Sequence, residues 1–237
     1  MEDSRERKRR DMRNKKICLG LTAVATCALT AFASADVIMD QIGDMDGSAQ
    51  VANISASQDF EDAYNAYDVI AIDDFTIDTA MNLSSASMVL GGWNGFAGSA
   101  GVDGYTVSIF SSTDAAGASI FGDVLAIAFG AGDLSADWMG GGELLTFDLG
   151  GVELAAGTYW IGITPANAYA ANGQTGAYQS SIGDNGGYQA NPAGAFGFIT
   201  QPTGTNYAYR LDGTGVPAPG ALALLGLAGL AGRRRRS

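Results

Sequence analysis

The chain has 237 residues, contains 34 glycines and carries a formal net charge of −12. Eight of its basic residues lie at or before position 16, and four lie in a cluster near the C-terminus. Between Asp36 and Gly215 a single basic residue, Arg210, stands against 21 Asp and Glu residues, which gives this stretch a charge of −20. A field of that sign repels nucleic acid and anionic lipid headgroups, so we expect neither as its partner.

Few kinds of catalytic site are open to the same stretch. The chain has no histidine, its cysteines are Cys18 and Cys27, and no lysine lies between Asp36 and Gly215. Ser-His-Asp and Cys-His catalytic arrangements therefore cannot be built there, nor can a cysteine-ligated metal site. No GxxxxGK[ST] phosphate-binding loop is present either. We expect a protein that is not an enzyme.

The first element is a leader. Residues 5–16 are basic, residues 17–32 are apolar with small residues among them, and Ala33-Ser34-Ala35 precedes Asp36. A positive segment, a short apolar segment and an A-x-A site predict a signal peptide over residues 1–35, with Ala33 and Ala35 at the cleavage site. An N-terminal membrane anchor is the alternative, and the start at Met1 or Met12 stays open.

Residues 36–212 predict a single all-β ectodomain. Short apolar runs alternate with glycine-rich turn signals, and the runs VLAIAF and TYWIGI are continuously apolar, as strands between two packed layers are. This spacing favours an antiparallel β-sandwich or jelly roll over βαβ units. A short helix is expected over Ser57–Ala66, and turns at glycines 91–92, 130–132, 140–142, 150–151 and 173. The expected strands are Asp68–Ile77, Met81–Leu90, Tyr105–Ser111, Val124–Phe129, Leu144–Leu149, Gly157–Thr164, Ala177–Ile182, Ala195–Thr200 and Tyr207–Leu211.

Three aspartates near the start of this domain are candidate calcium ligands. Asp40, Asp44 and Asp46 lie close together and are followed by Gly47 and Ser48. Calcium takes about six to eight oxygen ligands, often from carboxylates and loop carbonyls. The spacing is not that of an EF-hand, and an exposed Asp-rich loop is the alternative.

A pair of carboxylates could also serve as the acid and base of a glycoside hydrolase. Asp73 and Asp74 are adjacent on a predicted strand, so their side chains should point to opposite faces and cannot form the pair by themselves. A solvated acidic surface is the alternative for all the looser candidates, which are Glu61, Asp62, Glu143 and Glu153.

Several aromatic residues lie in stretches that read as turns or loops. Their rings could stack on the faces of sugars, or they could cap the ends of a sandwich. Trp160, in the apolar run TYWIGI, is expected in the core. The candidates for a sugar-binding platform are Trp93, Trp138, Tyr169, Tyr178 and Tyr188.

The last element is a short apolar tail. Residues 213–215 are expected to be a linker, and residues 216–232 form an apolar stretch of 17 residues whose part 220–232 is expected to be helical. A spanning helix needs about 20 residues, with about 17 near the lower limit. The cluster that follows would place the tail's end on the cytoplasmic side. It consists of Arg233, Arg234, Arg235 and Arg236.

This layout over residues 216–237 resembles the PEP-CTERM sorting signal, also known as the ice-binding protein C-terminal motif. Ala218 stands where that family usually has Glu. The resemblance implies recognition by an exosortase-type membrane transpeptidase that cleaves at the motif. The residues that fall on the motif are Val216, Pro217, Ala218, Pro219 and Gly220.

The ectodomain resembles the β-sandwich domains that such sorted proteins carry. The residues that carry this likeness are DQIG at 40–43, SQDF at 57–60, DDF at 73–75 and LAAGTYWIGI at 154–163. The sequence thus predicts an exported, non-catalytic cell-surface or extracellular-matrix protein with at least transient anchoring in the inner membrane. A carbohydrate-binding module that could use calcium is the alternative, and an acidic glycoside hydrolase is a third hypothesis.

Overall fold

The computed structural model describes residues 35–43, 50–133, 135–139 and 142–216. Within them, fourteen strands form two antiparallel sheets of eight and six strands. The prediction of an all-β fold built from antiparallel sheets is confirmed.

The eight-stranded sheet is centred on its long strand β4. One edge of β4 pairs with β8, beyond which lies β7; the other edge pairs with β14 and then with β10. Strand β1 pairs with β14, while β2 and β13 pair with β10. In chain order the strands of this sheet are β1 (Asp36–Asp40), β2 (Gln50–Ala56), β4 (Met81–Trp93), β7 (Ser135–Met139), β8 (Gly142–Leu154), β10 (Gln174–Ser180), β13 (Asn206–Tyr207) and β14 (Tyr209–Gly215).

The six-stranded sheet has the order β12-β11-β3-β9-β5-β6. In the described part of the chain, four short helices lie in the connections: the 3₁₀ helices Asp62–Tyr67 and Ser99–Gly101, and the α-helices Thr113–Ala118 and Tyr169–Asn172. The strands of this sheet are β3 (Ile70–Ile77), β5 (Gly104–Phe110), β6 (Leu125–Gly130), β9 (Gly157–Ala166), β11 (Tyr188–Ala190) and β12 (Thr200–Pro202).

The main core lies between the two sheets. Tyr105, Val107 and Ile109, which alternate along β5, point into it and pack with side chains of the other sheet such as Phe147. Tyr209 of β14 is fully buried, and its hydroxyl donates to the Ala71 carbonyl of β3 at 2.8 Å. Successive side chains of a strand point to opposite faces, so these three share the face toward the core, while Phe110 on the other face is also buried.

Each sheet also covers a smaller apolar cluster on its outer face. The helix Thr113–Ala118, whose N-terminus is capped by the Ser112 hydroxyl, lies over Ile70 and Ile72 of β3. Trp160, expected in the core, is half-buried and packs against this outer cluster. On the other sheet Ile42, Val89, Leu144 and Ala208 form the corresponding cluster.

Some predicted boundaries are wrong. Residues 213–215 are not a linker, because they complete β14 and pair with residues 81–83 of β4. Gly91 and Gly92 form no turn but lie within β4, where the rings of Tyr178 and Phe96 occupy the space that side chains would need. Gly150 and Gly151 form a bulge inside β8, at φ of +67° and +81°.

Two local predictions are also wrong. The segment Ala195–Thr200 is a run of turns from which only Thr200 enters a strand. The expected helix over Ser57–Ala66 is a 3₁₀ helix that starts later, at Asp62, after an extended segment that bridges to Val69. Strands β1, β2, β7 and β11 were not expected.

Among the residues that the structure describes, no helix is long and apolar enough to cross a bilayer. The apolar segment predicted over residues 220–232 and the four arginines after it lie outside those residues. The same holds for residues 1–34, where the signal peptide is predicted.

Candidate functional site

Five aromatic side chains line one cleft on the surface of the domain. They come from segments far apart in the sequence: the extended segment after β2, the 3₁₀ helix Asp62–Tyr67, the helix Tyr169–Asn172 and the loop between β11 and β12. The cleft has a volume of about 250 Å³. The side chains that line it are Phe60, Tyr64, Tyr67, Tyr169 and Phe196, together with Gln174 at the start of β10.

The rings form a chain of edge and tilted contacts. Centroids lie 5.8 Å apart for Tyr64 and Tyr169, 5.4 Å for Tyr67 and Phe196, and 6.2 Å for Phe60 and Tyr169. These separations are those of favourable aromatic pairs. Even so, Tyr64, Tyr67, Tyr169 and Phe196 keep between 37% and 42% of their surface exposed. The cleft thus offers water four large rings whose positions are fixed by one another.

Glu61 connects the segment that carries Phe60 and Tyr64 to the helix Tyr169–Asn172. Its carboxylate accepts hydrogen bonds from the backbone N–H groups of Tyr169 and Ala170, at 2.7 and 3.1 Å. Desolvation opposes ionisation, but the N–H groups together outweigh it and lower the pKa of Glu61. A carboxylate at the start of a helix is favourable because it pairs with unsatisfied N–H groups. The rings of Tyr64 and Tyr169 are therefore held on a common frame.

Asn191 connects the loop between β11 and β12 to the segment around Tyr67. It is fully buried, and its amide nitrogen donates to the carbonyls of Ala66 and Asp68 at 3.1 and 2.7 Å. Its amide oxygen accepts from the Phe196 N–H at 3.0 Å. One buried side chain thus joins the segment that carries Tyr67 to the loop that carries Phe196.

Gln58 and Asp68 make side-chain hydrogen bonds to the backbone next to the residues that line the cleft. Gln58 is fully buried, donates to the Asn167 carbonyl at 2.7 Å and accepts from the Thr175 N–H at 2.7 Å. Asp68 accepts from the Phe60 N–H at 2.9 Å. Burial raises the pKa of Asp68 to about 6, and the nearby Asp59 carboxylate adds to this.

Of the aromatic residues singled out in the sequence, Tyr169 alone lines this cleft. Tyr178 packs against the outer cluster of the eight-stranded sheet, and Tyr188 against that of the six-stranded sheet. Trp93 ends β4 and is half-buried, whereas Trp138 lies in β7 at a position whose side chain is not described. Of the candidate platform residues whose side chains are described, the structure thus brings Tyr169 to the cleft and places Trp93, Tyr178 and Tyr188 elsewhere.

The sequence contained a signal for part of that set. Phe60 and Tyr64 are spaced i and i+4 within the helix expected over Ser57–Ala66, and Tyr67 follows at i+7, directly after it, so helical spacing puts these three rings on one side. No sequence signal pointed to Phe196, which reaches the cleft through the tertiary contacts of Asn191.

The acidic candidates are spread over the domain. Asp73 is fully buried, where its carboxylate accepts from the N–H groups of Tyr207 and Asp74. Glu143 accepts from the Ser99 N–H at 2.9 Å, while Asp62 and Glu153 are exposed. Asp74 lines a separate surface pocket of about 400 Å³ that also contains Asp40 and Asp184.

The carboxylate of Asp40 already has protein partners. One oxygen accepts from the N–H groups of Ile42 and Gly43, and the other pairs with Arg210 at 3.2 Å. Within the described ranges no group of three or more Asp, Glu, His or Cys side chains is placed to hold a metal ion. Asp44 and Asp46, the other predicted calcium ligands, lie outside those ranges, so the calcium hypothesis stays a prediction.

A comparison with protein-family models gives no match, and a comparison with curated proteins gives none either.

Proposed function

We propose that the chain is an exported, non-catalytic protein of the cell surface or extracellular matrix. It is delivered through its N-terminal leader, held transiently in the inner membrane by its tail, and processed at the tail motif by an exosortase-type membrane transpeptidase. The folded domain is the part that remains outside.

The observation that carries this proposal is the match between the ends of the folded domain and the two predicted processing sites. Strand β1 begins at Asp36, directly after the Ala33-Ser34-Ala35 site, and β14 ends at Gly215. The two strands pair with each other, with Asp36 opposite Gly213.

The last described residue, Val216, donates its N–H to the Ala80 carbonyl at 2.9 Å, and Pro217 follows. Cleavage at both sites would therefore remove none of the strands that the structure describes. A leader and a tail that flank all the described strands in this way support their interpretation as sorting segments rather than structural ones.

Mass spectrometry of surface material from the native host tests the proposal. We expect a chain that starts at Asp36 and ends within residues 216–220. Deletion of Arg233–Arg236 should mislocalise or retain the protein, and replacement of Pro217 and Pro219 by alanine should leave a larger, membrane-bound species. Surface material that runs from Met1 or Met12 to Ser237 would overturn the proposal.

A matched control separates sorting from folding. Substitution of the exposed Phe121 by alanine should change neither the mature termini nor the localisation, because the side chain lies far in sequence from both sorting segments. Circular dichroism of each variant should show the same β-rich spectrum, since the tail changes lie outside the strands that the structure describes.

A further inference from the structure

We propose that the aromatic cleft lined by Phe60, Tyr64, Tyr67, Tyr169, Phe196 and Gln174 is a binding site for a neutral saccharide, which it holds by stacking on one or two sugar rings. The inference goes beyond the proposed export and sorting, and it is tested on purified protein, so either can fail without the other.

The chemistry of the lining fits the two kinds of surface that a sugar ring presents. The C–H faces of a pyranose are apolar and stack on aromatic rings, whereas its edges carry hydroxyl groups that need hydrogen-bond partners. Phe60 and Phe196 supply purely apolar surface. The three tyrosines add a phenol hydroxyl to each ring, and Gln174 adds an amide that can both donate and accept. Mostly aromatic linings with few polar groups are typical of small-ligand sites.

The size of the cleft favours a short unit. Its volume of about 250 Å³ lies just below the range of about 300 to 1,000 Å³ that drug-sized ligands occupy. One or two rings of a longer chain match that space, with the rest of the polysaccharide in solvent.

Charge decides between neutral and anionic sugars. None of the residues that line the cleft in the described part of the chain is charged. The one basic residue between Asp36 and Gly215, Arg210, is bound to Asp40 and Asp212. Uronic acids and sulfated or phosphorylated sugars would therefore enter a field of −20 without a cation to pair with. A neutral sugar meets no such repulsion.

The cleft is also arranged before any ligand arrives. Glu61 and Asn191 bind the backbones of the segments that carry Tyr169, Tyr67 and Phe196, and they do so through five hydrogen bonds of 3.1 Å or less. Binding to a site that is already ordered avoids the entropy loss of fixing loops and side chains. Polar anchors that hold rings in an exposed position are expected of a binding site, because a structural cap would bury its rings.

Calorimetric titration of the purified full-length protein tests the proposal. The probes are two neutral polysaccharides, a soluble β-glucan and a galactomannan, one polyanion, alginate, and a proline-rich peptide, since such peptides also dock on aromatic grooves. We expect at least one neutral polysaccharide to bind. Alginate should not bind the cleft, so any binding of alginate to the basic ends of the full-length chain should be unchanged in the cleft variants. Tyr67→Ala and Phe196→Ala should each weaken that binding by about tenfold or more, because each removes a stacking surface.

Two further variants keep the test specific. Tyr67→Phe retains the ring and should retain most of the affinity, whereas Phe121→Ala removes an equally exposed ring elsewhere and should change nothing. Thermal melting checks that each variant is folded. The proposal is overturned if neither neutral polysaccharide binds, if alginate binds as tightly and the cleft variants lose that binding, if the peptide binds instead, or if the cleft variants bind like the wild type.

Discussion

Asp73 is an acid buried at the centre of a domain that has almost no basic residues, and its replacement by asparagine should change how stability depends on pH. Its carboxylate accepts from the Tyr207 N–H at 2.7 Å and from the Asp74 N–H at 3.1 Å. The end of the Gln41 side chain faces two acceptors, Asp73 Oδ2 and the Tyr207 carbonyl. The Gln41 amide nitrogen therefore donates a hydrogen bond to each of them, at 2.6 Å. Burial, with smaller contributions from Asp74 and Asp184, raises the pKa of Asp73 from 3.8 to about 7.

The direction of the effect follows from this rise. Between pH 4 and 7 the folded chain holds a proton at Asp73 that the unfolded chain has released. The contribution of Asp73 to the free energy of unfolding is therefore complete below pH 4, falls as the pH rises, and is lost above pH 7. Each pKa unit corresponds to about 1.4 kcal/mol, so the whole window is worth about 4 kcal/mol. The part lost between pH 5 and pH 8 is about 2 to 3 kcal/mol.

An asparagine side chain cannot ionise, so Asp73→Asn removes this loss while it gives up one of the acceptor contacts, at a cost of about 1 kcal/mol. At pH 5 the wild type has already lost part of this contribution, so we expect the variant to be about as stable as the wild type there and more stable by about 2 to 3 kcal/mol at pH 8. Urea unfolding followed by tryptophan fluorescence at pH 5, 6, 7 and 8, at constant ionic strength, gives both free energies. Asp78→Asn, at an exposed position just after the same strand, is the matched control and should parallel the wild type.

The difference between the wild type and Asp73→Asn decides the matter, because other carboxylates contribute equally to both. If the two free energies of unfolding stay a constant distance apart from pH 5 to pH 8, Asp73 does not change its protonation in this range. Burial would then not raise the pKa of Asp73 as described.

Three further predictions concern other polar groups. Arg210→Ala leaves Asp40 and Asp212 without their shared cation. The free energy of unfolding in urea should therefore fall by about 1 to 2 kcal/mol, and by less in 0.5 M NaCl. An unchanged value would mean that these two ion pairs add nothing to stability. Asn191→Ala removes the hydrogen-bond partner of the Ala66 and Asp68 carbonyls and of the Phe196 N–H, so the free energy of unfolding should fall by about 2 to 4 kcal/mol and the saccharide affinity should drop. A variant with unchanged stability and full affinity would contradict the role of this side chain. The melting temperature should rise with NaCl because salt screens the charge of −20, and a specific calcium site would make CaCl₂ more effective than MgCl₂ at equal ionic strength; an equal response would leave screening alone.

The fold could be predicted from the sequence where the pattern of a strand is set by the strand itself. Val107 and Ile109 alternate with Thr106 and Ser108 in the stretch Tyr105–Ser111, where a strand was expected and β5 lies. Val107 and Ile109 do face the core, but Ser108 is fully buried as well, so the strand is covered on both faces there. The extent of β4 could not be predicted in this way. Gly91-Gly92 is an ordinary turn signal, and only the close approach of rings from elsewhere in the chain explains why a strand runs through it.

The segment Ala195–Thr200 failed for the opposite reason. Its apolar residues suit a strand, but Gly194 and Gly197 adopt positive φ angles, and the Asn191 side chain binds the Phe196 N–H that a strand partner would need. Side chains that bond to nearby backbone compete with sheet pairing in this way. Asn191 was not a noticeable residue in the sequence, because its importance comes from being fully buried.

The location of the cleft was hidden for a related reason. Tryptophan in a glycine-rich turn is the sequence feature that suggested a sugar-binding surface, but Trp93 ends a strand and is half-buried. The rings of the cleft belong instead to tyrosine and phenylalanine in polar segments, and nothing in the sequence shows that these segments meet. What could be read was the i, i+4, i+7 spacing of Phe60, Tyr64 and Tyr67.

The acidity of the domain and its exposed rings are best understood together. A surface patch that presents four large rings to water would normally favour self-association, because apolar surface on two copies can be buried by one contact. A charge of −20 on each copy opposes that contact by mutual repulsion, at a range of about 8 to 10 Å at physiological salt. The same repulsion does not act on a neutral saccharide. A strongly acidic domain with an uncharged aromatic cleft therefore discriminates against copies of itself and against polyanions, while the cleft stays open to neutral chains.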